Sequence, residues 1–323
     1  MLSEFGTLCQ KLGIQEKNPS SDNYNRLKEW CLQHISQENY ERSYSDYVEL
    51  ARHYVDVFLP NIPNILSEPV SNFNQLNAIQ YAASMGYDRF LQDNVISLKN
   101  LQNIKTRTGM TALHFAALYA HPPVVELLLA QGASARELNN KNQFPIKCLL
   151  TTPASIDADY KSRKIKIYHL LESNAPEAVK GIDSAGETVA HAMASGGYVK
   201  LMDTLLEKEP SLVFISNNSH HYPIHTAILN GQTDIVERLM PLEGMAVLDD
   251  RDGRVALHYA VESGSTETIK ICCKYSSLID IRDSYNKTPL MYAIEKNDLP
   301  AITILTEYGA DINLSAHQNT AKI

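Results

Sequence analysis

A short motif recurs along this chain at a nearly constant interval. Its clearest copy is Thr-Ala-Leu-His-Phe-Ala-Ala at residues 111–117. The histidine position of the motif falls at Gln80, His114, Lys147, His191, His225, His258 and Met291. The intervals between these positions are 34, 33, 44, 34, 33 and 33 residues. A fixed period of this length predicts a solenoid, in which each repeat packs mainly against its neighbours.

The motif resembles the helix-opening signature of ankyrin repeats, Thr-Pro-Leu-His-x-Ala, which recurs about every 33 residues. Other copies are Pro-Ile-His-Thr-Ala at 223–227, Ala-Leu-His-Tyr-Ala at 256–260 and Thr-Pro-Leu-Met-Tyr-Ala at 288–293. All intervals but the 44-residue one match that period, and the exception predicts an inserted loop. The resemblance implies an all-α solenoid of about seven helix-turn-helix repeats joined by short hairpin turns.

The resemblance divides the chain into two regions. Residues 1–68 lack the repeat and are predicted to form an N-terminal helical cap, because the end of a solenoid needs a polar cover. A small independent domain is the alternative. Residues 69–323 are predicted to form the ankyrin-repeat domain. Its repeats are expected near 72–105, 106–138, 139–182, 183–216, 217–249, 250–282 and 283–314, with the incomplete start of an eighth at 315–323.

The third repeat contains the insertion. Residues 151–160 are mostly polar and contain one proline and two aspartates, which predicts a surface loop. This loop is either a tolerated insertion or a contact specific to one partner, since loops on a rigid scaffold often carry recognition.

Composition restricts the classes of partner and the compartment. The 323 residues carry a formal net charge of −8, which argues against nucleic acid as a partner. The five cysteines are odd in number and include no Cys-x-x-Cys pair, as expected in a reducing compartment. Neither a secretory signal nor an apolar stretch of about 18 residues is visible. We therefore expect an intracellular, cytoplasmic monomer without cofactor, metal or membrane insertion.

The signature residues are expected to be structural. Threonine at the start of a helix can cap its free amides, and a histidine three residues later can reach the same turn or the next repeat. The histidines recur once per repeat, so they do not converge as metal ligands must. An aromatic residue follows this position in several repeats and could form a ligand platform, but packing between repeats is the favoured interpretation. These aromatic residues are Tyr81, Phe115, Tyr259 and Tyr292.

The resemblance implies that partner contacts come from the hairpin tips and from the exposed face of the inner helices. Tyrosine and arginine are the residue types most enriched at interface hot spots. Leu118 and Tyr119 form an apolar pair where a polar surface would be expected. The predicted partner-binding residues are Arg107, Leu118, Tyr119, His220, Arg251, Arg254, Glu262, Tyr285, Lys287 and Glu295.

Together these features predict a non-enzymatic protein–protein interaction module. The irregular repeats and the unmatched N-terminal helices are similar to those of bacterial ankyrin effectors, which implies a host protein as partner and delivery into the host cytoplasm or nucleus. No phosphate-binding loop, zinc-binding His-Glu-x-x-His pair or nucleophile elbow is present.

The alternative is the targeting domain of an enzyme. Its catalytic part would be the N-terminal helical region or a C-terminal region missing from this chain. In the first case, Cys31 and His34, with Asp46 and His53, supply the residue types of a nucleophilic site, although spacing alone is a weak signal for catalysis.

Overall fold

A computed structural model describes residues 78–93, 103–151 and 158–314 of the chain. The predicted N-terminal cap, the centre of the insertion and the start of the eighth repeat lie outside these residues. The chain divides into two units, Met1–Asn139 and Asn140–Ile323, and each is considered by itself.

Within the described ranges, the α-helices follow one another as seven pairs. The first helix of each pair opens at the recurring motif and is called the inner helix, and the second is called the outer helix. The pairs are α1 Ala78–Met85 and α2 Asp88–Asp93, α3 Ala112–Leu118 and α4 Pro122–Ala130, α5 Pro145–Leu150 and α6 Ala158–Asn174, α7 Val189–Gly196 and α8 Val199–Lys208, α9 Pro223–Leu229 and α10 Thr233–Leu239, α11 Ala256–Ser263 and α12 Thr266–Tyr275, and α13 Pro289–Glu295 and α14 Leu299–Glu307. This part of the chain contains no β-strand, which confirms the predicted all-α repeat architecture.

The first unit contains the first two pairs. Inner helix α1 packs on α3 and outer helix α2 packs on α4. The inner helices approach closely because their facing side chains are small, and Ala82, Ala83, Ala116 and Ala117 are all buried. The imidazole Nε2 of His121 lies 2.9 Å from the carbonyl oxygen of Ser84, which ties the two pairs together.

The second unit contains the other five pairs. Inner helices pack on neighbouring inner helices, and the outer helices from α8 onwards pack on neighbouring outer helices. Short 3₁₀ helices at Pro176–Lys180, Pro210–Phe214 and Met245–Val247 follow three of the outer helices. Alanines again form the contact between inner helices, and the outer helices contribute larger side chains such as Leu201, Leu205, Ile235 and Leu239. The buried alanines of these inner helices are Ala190, Ala192, Ala194, Ala227, Ala256, Ala260 and Ala293.

The hairpin turns share one backbone design. An Asp or Asn side chain accepts the amides two and four residues later, as Asp183 does from Ala185 at 2.9 Å and from Glu187 at 3.0 Å. Asn217, Asp250 and Asp283 repeat this pattern. Three residues after this Asp or Asn, or after the residue at the same position in the other repeats, the backbone is left-handed. The residues at this left-handed position are Gly109, Asn142, Gly186, His220, Gly253 and Asn286.

Gly186 shows why one of these turns cannot take a side chain. A Cβ atom there would lie 2.5 Å from the amide oxygen of Asn218 in the next hairpin, and its φ angle is +78°. The hairpins of repeats four and five therefore approach each other at backbone distance.

His191, His225 and His258 each hydrogen-bond within their own turn and to the next repeat, which are the two contacts expected of the signature histidines. In His191, Nδ1 accepts the Thr188 amide at 3.2 Å, and Nε2 lies 3.0 Å from the carbonyl oxygen of His221. His258 makes the same bonds to the Val255 amide and the Lys287 carbonyl. A ring that accepts at Nδ1 and donates at Nε2 is uncharged, and all four signature histidines are buried.

Lys147 replaces the signature histidine in the third repeat. Its ammonium group donates to the carbonyl oxygen of Thr188 at 2.7 Å and to Glu187 at 3.3 Å, and Asp183 lies 3.8 Å away. The longer side chain therefore makes the same kind of link to the next repeat that histidine makes elsewhere.

Candidate functional site

The predicted partner-binding residues of the first unit lie at the end of α3 and in the preceding hairpin. Tyr119 follows α3 directly and is half exposed, while Leu118 is partly buried. Arg107 is exposed in the hairpin.

The other seven predicted residues belong to repeats five to seven. Arg251, Arg254 and Glu262 line one open groove of 490 Å³ between repeats five and six, here called the groove. His220 is exposed in the hairpin beside the groove, and Tyr285 is an exposed hairpin-tip residue of repeat seven. The complete lining of the groove is Asn218, Ser219, His221, Leu229, Asp250, Arg251, Asp252, Arg254, Tyr259 and Glu262.

Cationic and aromatic side chains alternate across repeats five to seven. The His221 and Tyr259 rings meet edge to face with centroids 5.6 Å apart. The Arg254 guanidinium lies 4.6 Å from the Tyr259 ring centroid and 5.4 Å from that of Tyr292. The Lys287 ammonium lies 5.2 Å from the Tyr292 ring. These five residues are called the cation–ring row, and each of its three contacts between a Lys or Arg cation and a ring contributes about 0.5–2 kcal/mol.

Each tyrosine of the row is fixed by an aspartate of its own hairpin. Tyr259 donates its hydroxyl proton to Asp250, and Tyr292 donates to Asp283 at 2.5 Å. Burial disfavours the Asp250 carboxylate, but the Tyr259 hydroxyl and the amides of Arg254 and Asp252 outweigh it and lower the pKa of Asp250. Burial, together with this hydrogen bond, raises the pKa of Tyr259 above its usual range. The hydroxyl proton therefore stays on the tyrosine and the charge stays on the aspartate.

Two cations of the row have a carboxylate partner eight residues later in the chain. Arg254 donates to Glu262, and Lys287 lies 2.7 Å from a carboxylate oxygen of Glu295. The Arg254 side chain is only 16% exposed, so its orientation is set by two rings and one carboxylate. The row is therefore ordered before any partner arrives.

The sequence predicted Arg254, Glu262, Lys287 and Glu295 as partner-binding residues. It did not predict His221, Asp250 and Tyr259, which line the groove. Tyr259 is one of the aromatic residues that follow the signature position. It is only 5% exposed, as expected for packing between repeats, and it also lines the groove. The missed signal is the period itself. His221, Arg254 and Lys287 occupy one repeat position, as do Asp250 and Asp283.

The cysteines of the described residues are buried free thiols. Burial raises the pKa of Cys148 to about 12 and that of Cys273 to about 11, so neither is a reactive thiolate at neutral pH. In the same part of the chain, no group of three or more His, Cys, Asp or Glu side chains could hold a metal ion. Cys31, His34, Asp46 and His53 lie outside the described residues.

A family model described as ankyrin repeats (3 copies) matches residues 46–142 and 242–316, which together exceed half of the chain. Among solved structures, the human ASB11 ankyrin repeat domain superposes with a TM-score of 0.57 and 19% identity, covering 73% of this chain and 99% of that one. The ankyrin repeat domain of Bcl-3 gives a TM-score of 0.58 and 20% identity, covering 72% of this chain and 98% of that one. At such identities the likeness concerns the fold.

Curated relatives match over shorter stretches. Transient receptor potential cation channel subfamily A member 1 of Drosophila melanogaster is 27% identical over 143 residues, which are 42% of this chain and 11% of that protein. The four curated relatives compared are matched over 4–17% of their own length. No helix among the described residues has the length and apolar character needed to span a bilayer.

Proposed function

This chain belongs to the ankyrin-repeat family, and we propose from this that it is a protein-interaction module whose principal contact surface lies on repeats five to seven. The observation that carries the proposal is the cation–ring row, which places arginine and tyrosine side chains in fixed positions beside an open groove. Arginine and tyrosine are the residue types most often found at the energetic centre of protein interfaces.

The row lowers the cost of binding. A free arginine side chain loses about 0.5–1.5 kcal/mol of conformational freedom when an interface immobilises it. Arg254 is already held by Tyr259, Tyr292 and Glu262, so most of that loss is incurred on folding. The hairpin tips extend the surface with the exposed residues His220, Arg251 and Tyr285.

The first unit contributes a second contact region to the proposal. Tyr119 and Leu118 at the end of α3 offer apolar area, and Arg107 offers a charge in the hairpin. Tyrosine is suited to this position because its ring is apolar and its hydroxyl can form a hydrogen bond.

The surface is tested with two matched arginine variants. Arg254→Ala removes the centre of the cation–ring row, and Arg238→Ala removes an exposed arginine of outer helix α10 that pairs with Asp203 at 3.1 Å. After a partner has been isolated with the wild-type chain, we expect Arg254→Ala to weaken its binding by about 2 kcal/mol, roughly 30-fold, and Arg238→Ala to leave it unchanged. Calorimetric titration measures both. Equal binding by the two variants would remove the proposed surface.

We also propose that the chain is a cytoplasmic, monomeric bacterial effector whose partner is a host protein. The targeting domain of an enzyme also remains an alternative. Its decisive test is Cys31→Ala with His34→Ala: loss of the cellular effect with intact partner binding would favour the enzyme.

A further inference from the structure

Three successive repeats place a basic residue at the same position, but only two of the three have a carboxylate beside it. Arg254 pairs with Glu262 and Lys287 pairs with Glu295, in each case eight residues along the chain. The residue eight positions after His221 is Leu229, which is 55% exposed. The repeated arrangement is therefore incomplete at the repeat-five end of the cation–ring row.

The hydrogen-bond pattern leaves one nitrogen of His221 available. Tyr259 has a single hydroxyl proton, and it donates that proton to the Asp250 carboxylate. The Tyr259 oxygen must then accept from His221, whose Nε2 lies 3.0 Å away and carries the proton. Within the described part of the chain, this is the one hydrogen bond of the His221 ring, so Nδ1 has no partner.

We propose that the groove binds a carboxylate side chain of a protein partner at His221, in the position that Glu262 and Glu295 hold in the next two repeats. An apolar side chain next to that carboxylate packs on Leu229. The ligand is thus a segment with one Glu or Asp beside an apolar residue. This inference rests on the proposed function, because it specifies the partner of the same surface.

The other charges of the groove favour a single acidic residue over an acidic run. Arg251 is exposed and has no ion-pair partner among the described residues, so it can add a second cation for the incoming carboxylate. Asp250, Asp252 and Glu262 line the same groove and repel further negative charge. The site therefore differs from a general basic patch, which would bind polyanions.

Binding takes up one proton from solvent, because Nδ1 of His221 must become an N–H donor to meet a carboxylate. Because binding takes up a proton, the affinity should rise as pH falls, by at most about tenfold per pH unit. The charged and titratable groups around His221 are His225 from its own repeat and Asp250, Arg251, Asp252, Arg254, Tyr259 and Glu262 from repeat six.

The test supplies the missing carboxylate within the chain. Leu229→Glu places a carboxylate eight residues after His221, and Leu229→Gln is the matched neutral variant. The probes are a blocked Leu-Glu-Leu peptide and its Leu-Gln-Leu counterpart, added to the full chain with ¹³C-labelled histidine. The His221 Cε1–H signal is assigned by its loss in His221→Gln, and circular dichroism checks that each variant is folded.

We expect the Glu peptide to shift the His221 signal of the wild type and the Gln peptide to leave it in place. In Leu229→Glu the new carboxylate occupies the site at His221, and a charge-assisted hydrogen bond contributes about 1.5–3 kcal/mol. The affinity of this variant for the Glu peptide should therefore be about 10- to 100-fold lower than that of Leu229→Gln. Equal binding of the two peptides, equal binding by the two variants, or no His221 shift at millimolar peptide would each overturn the inference. The two proposals can fail separately. If Arg254→Ala abolishes binding of a protein partner but Leu229→Glu and Leu229→Gln bind it with equal affinity, the proposed function is retained and only the acidic ligand is rejected.

Discussion

The buried histidines of the inner helices form their hydrogen bonds as uncharged rings. In His225, Nδ1 accepts the Tyr222 amide at 3.3 Å and Nε2 lies 3.2 Å from the Leu248 carbonyl oxygen. Protonation of Nδ1 would remove the acceptor and place a charge where no water reaches. Burial, followed by the nearby His221, lowers the pKa of His225 to about 4. Burial also lowers the pKa of His191 and His258.

Because these buried histidines must stay uncharged, we expect the folded chain to lose stability on acidification. The unfolded chain protonates His225 at about pH 6.5 and the folded chain at about pH 4, so the unfolded state takes up the proton first as pH falls. The contribution of this residue is complete above about pH 6.5 and declines by about 3 kcal/mol on approach to pH 4. We expect His225→Gln to be less stable than the wild type at pH 7 and the difference to narrow between pH 7 and pH 5. Urea unfolding at each pH measures the difference in free energy of unfolding between the two proteins. A difference that does not change with pH would contradict an uncharged His225 in the folded chain.

At the scale of the helix and its hairpin, repeat three shows how one repeat tolerates the loss of its signature. Lys147 is buried, and this burial lowers its pKa, while Glu187 and Asp183 oppose the shift. The Asp183 side chain is itself only 5% exposed. The ion pair thus spans two repeats with little water around it, and removal of one partner leaves the other charge buried.

Lys147→Met should therefore destabilise the chain by about 3 kcal/mol. The second variant, Asp183→Asn, removes the more deeply buried of the two carboxylates and keeps the oxygen that accepts the turn amides, as Asn217 does in the next hairpin. We expect the double variant to be more stable than Lys147→Met alone. Thermal unfolding of the four proteins forms a double-mutant cycle. Additive losses would show that the two charges do not interact.

The period in the sequence predicted where the helix pairs and turns lie, because it reflects packing that every repeat must satisfy. It did not predict that His220 and Asn286 take the left-handed turn position that glycine holds elsewhere, a conformation that histidine and asparagine adopt more often than most residues. It also identified Arg254 and Glu262 without relating them to His221 and Tyr259. That relation depends on distances between side chains 38 residues apart, which only the packed structure supplies.

At the scale of the whole molecule, the extensive contacts between described helices of each unit join only helices of the same or adjacent repeats. In the second unit, outer helix α8 contacts α7 and α10, and outer helix α14 contacts α13 and α12. The stability of such an array is approximately a sum over repeats and the interfaces between neighbours. Damage to one repeat should then spread to its neighbours and weaken with distance.

Two buried leucines of outer helices test this locality. Leu205→Ala in α8 and Leu305→Ala in α14 each leave a cavity and should cost about 2–5 kcal/mol. Hydrogen exchange followed by mass spectrometry should show the largest loss of protection around repeat four for Leu205→Ala and around repeat seven for Leu305→Ala, because exchange reports opening of each cooperative segment. A uniform loss across residues 158–314 in both variants would instead indicate that the second unit opens as one cooperative body. The locality prediction would then be wrong.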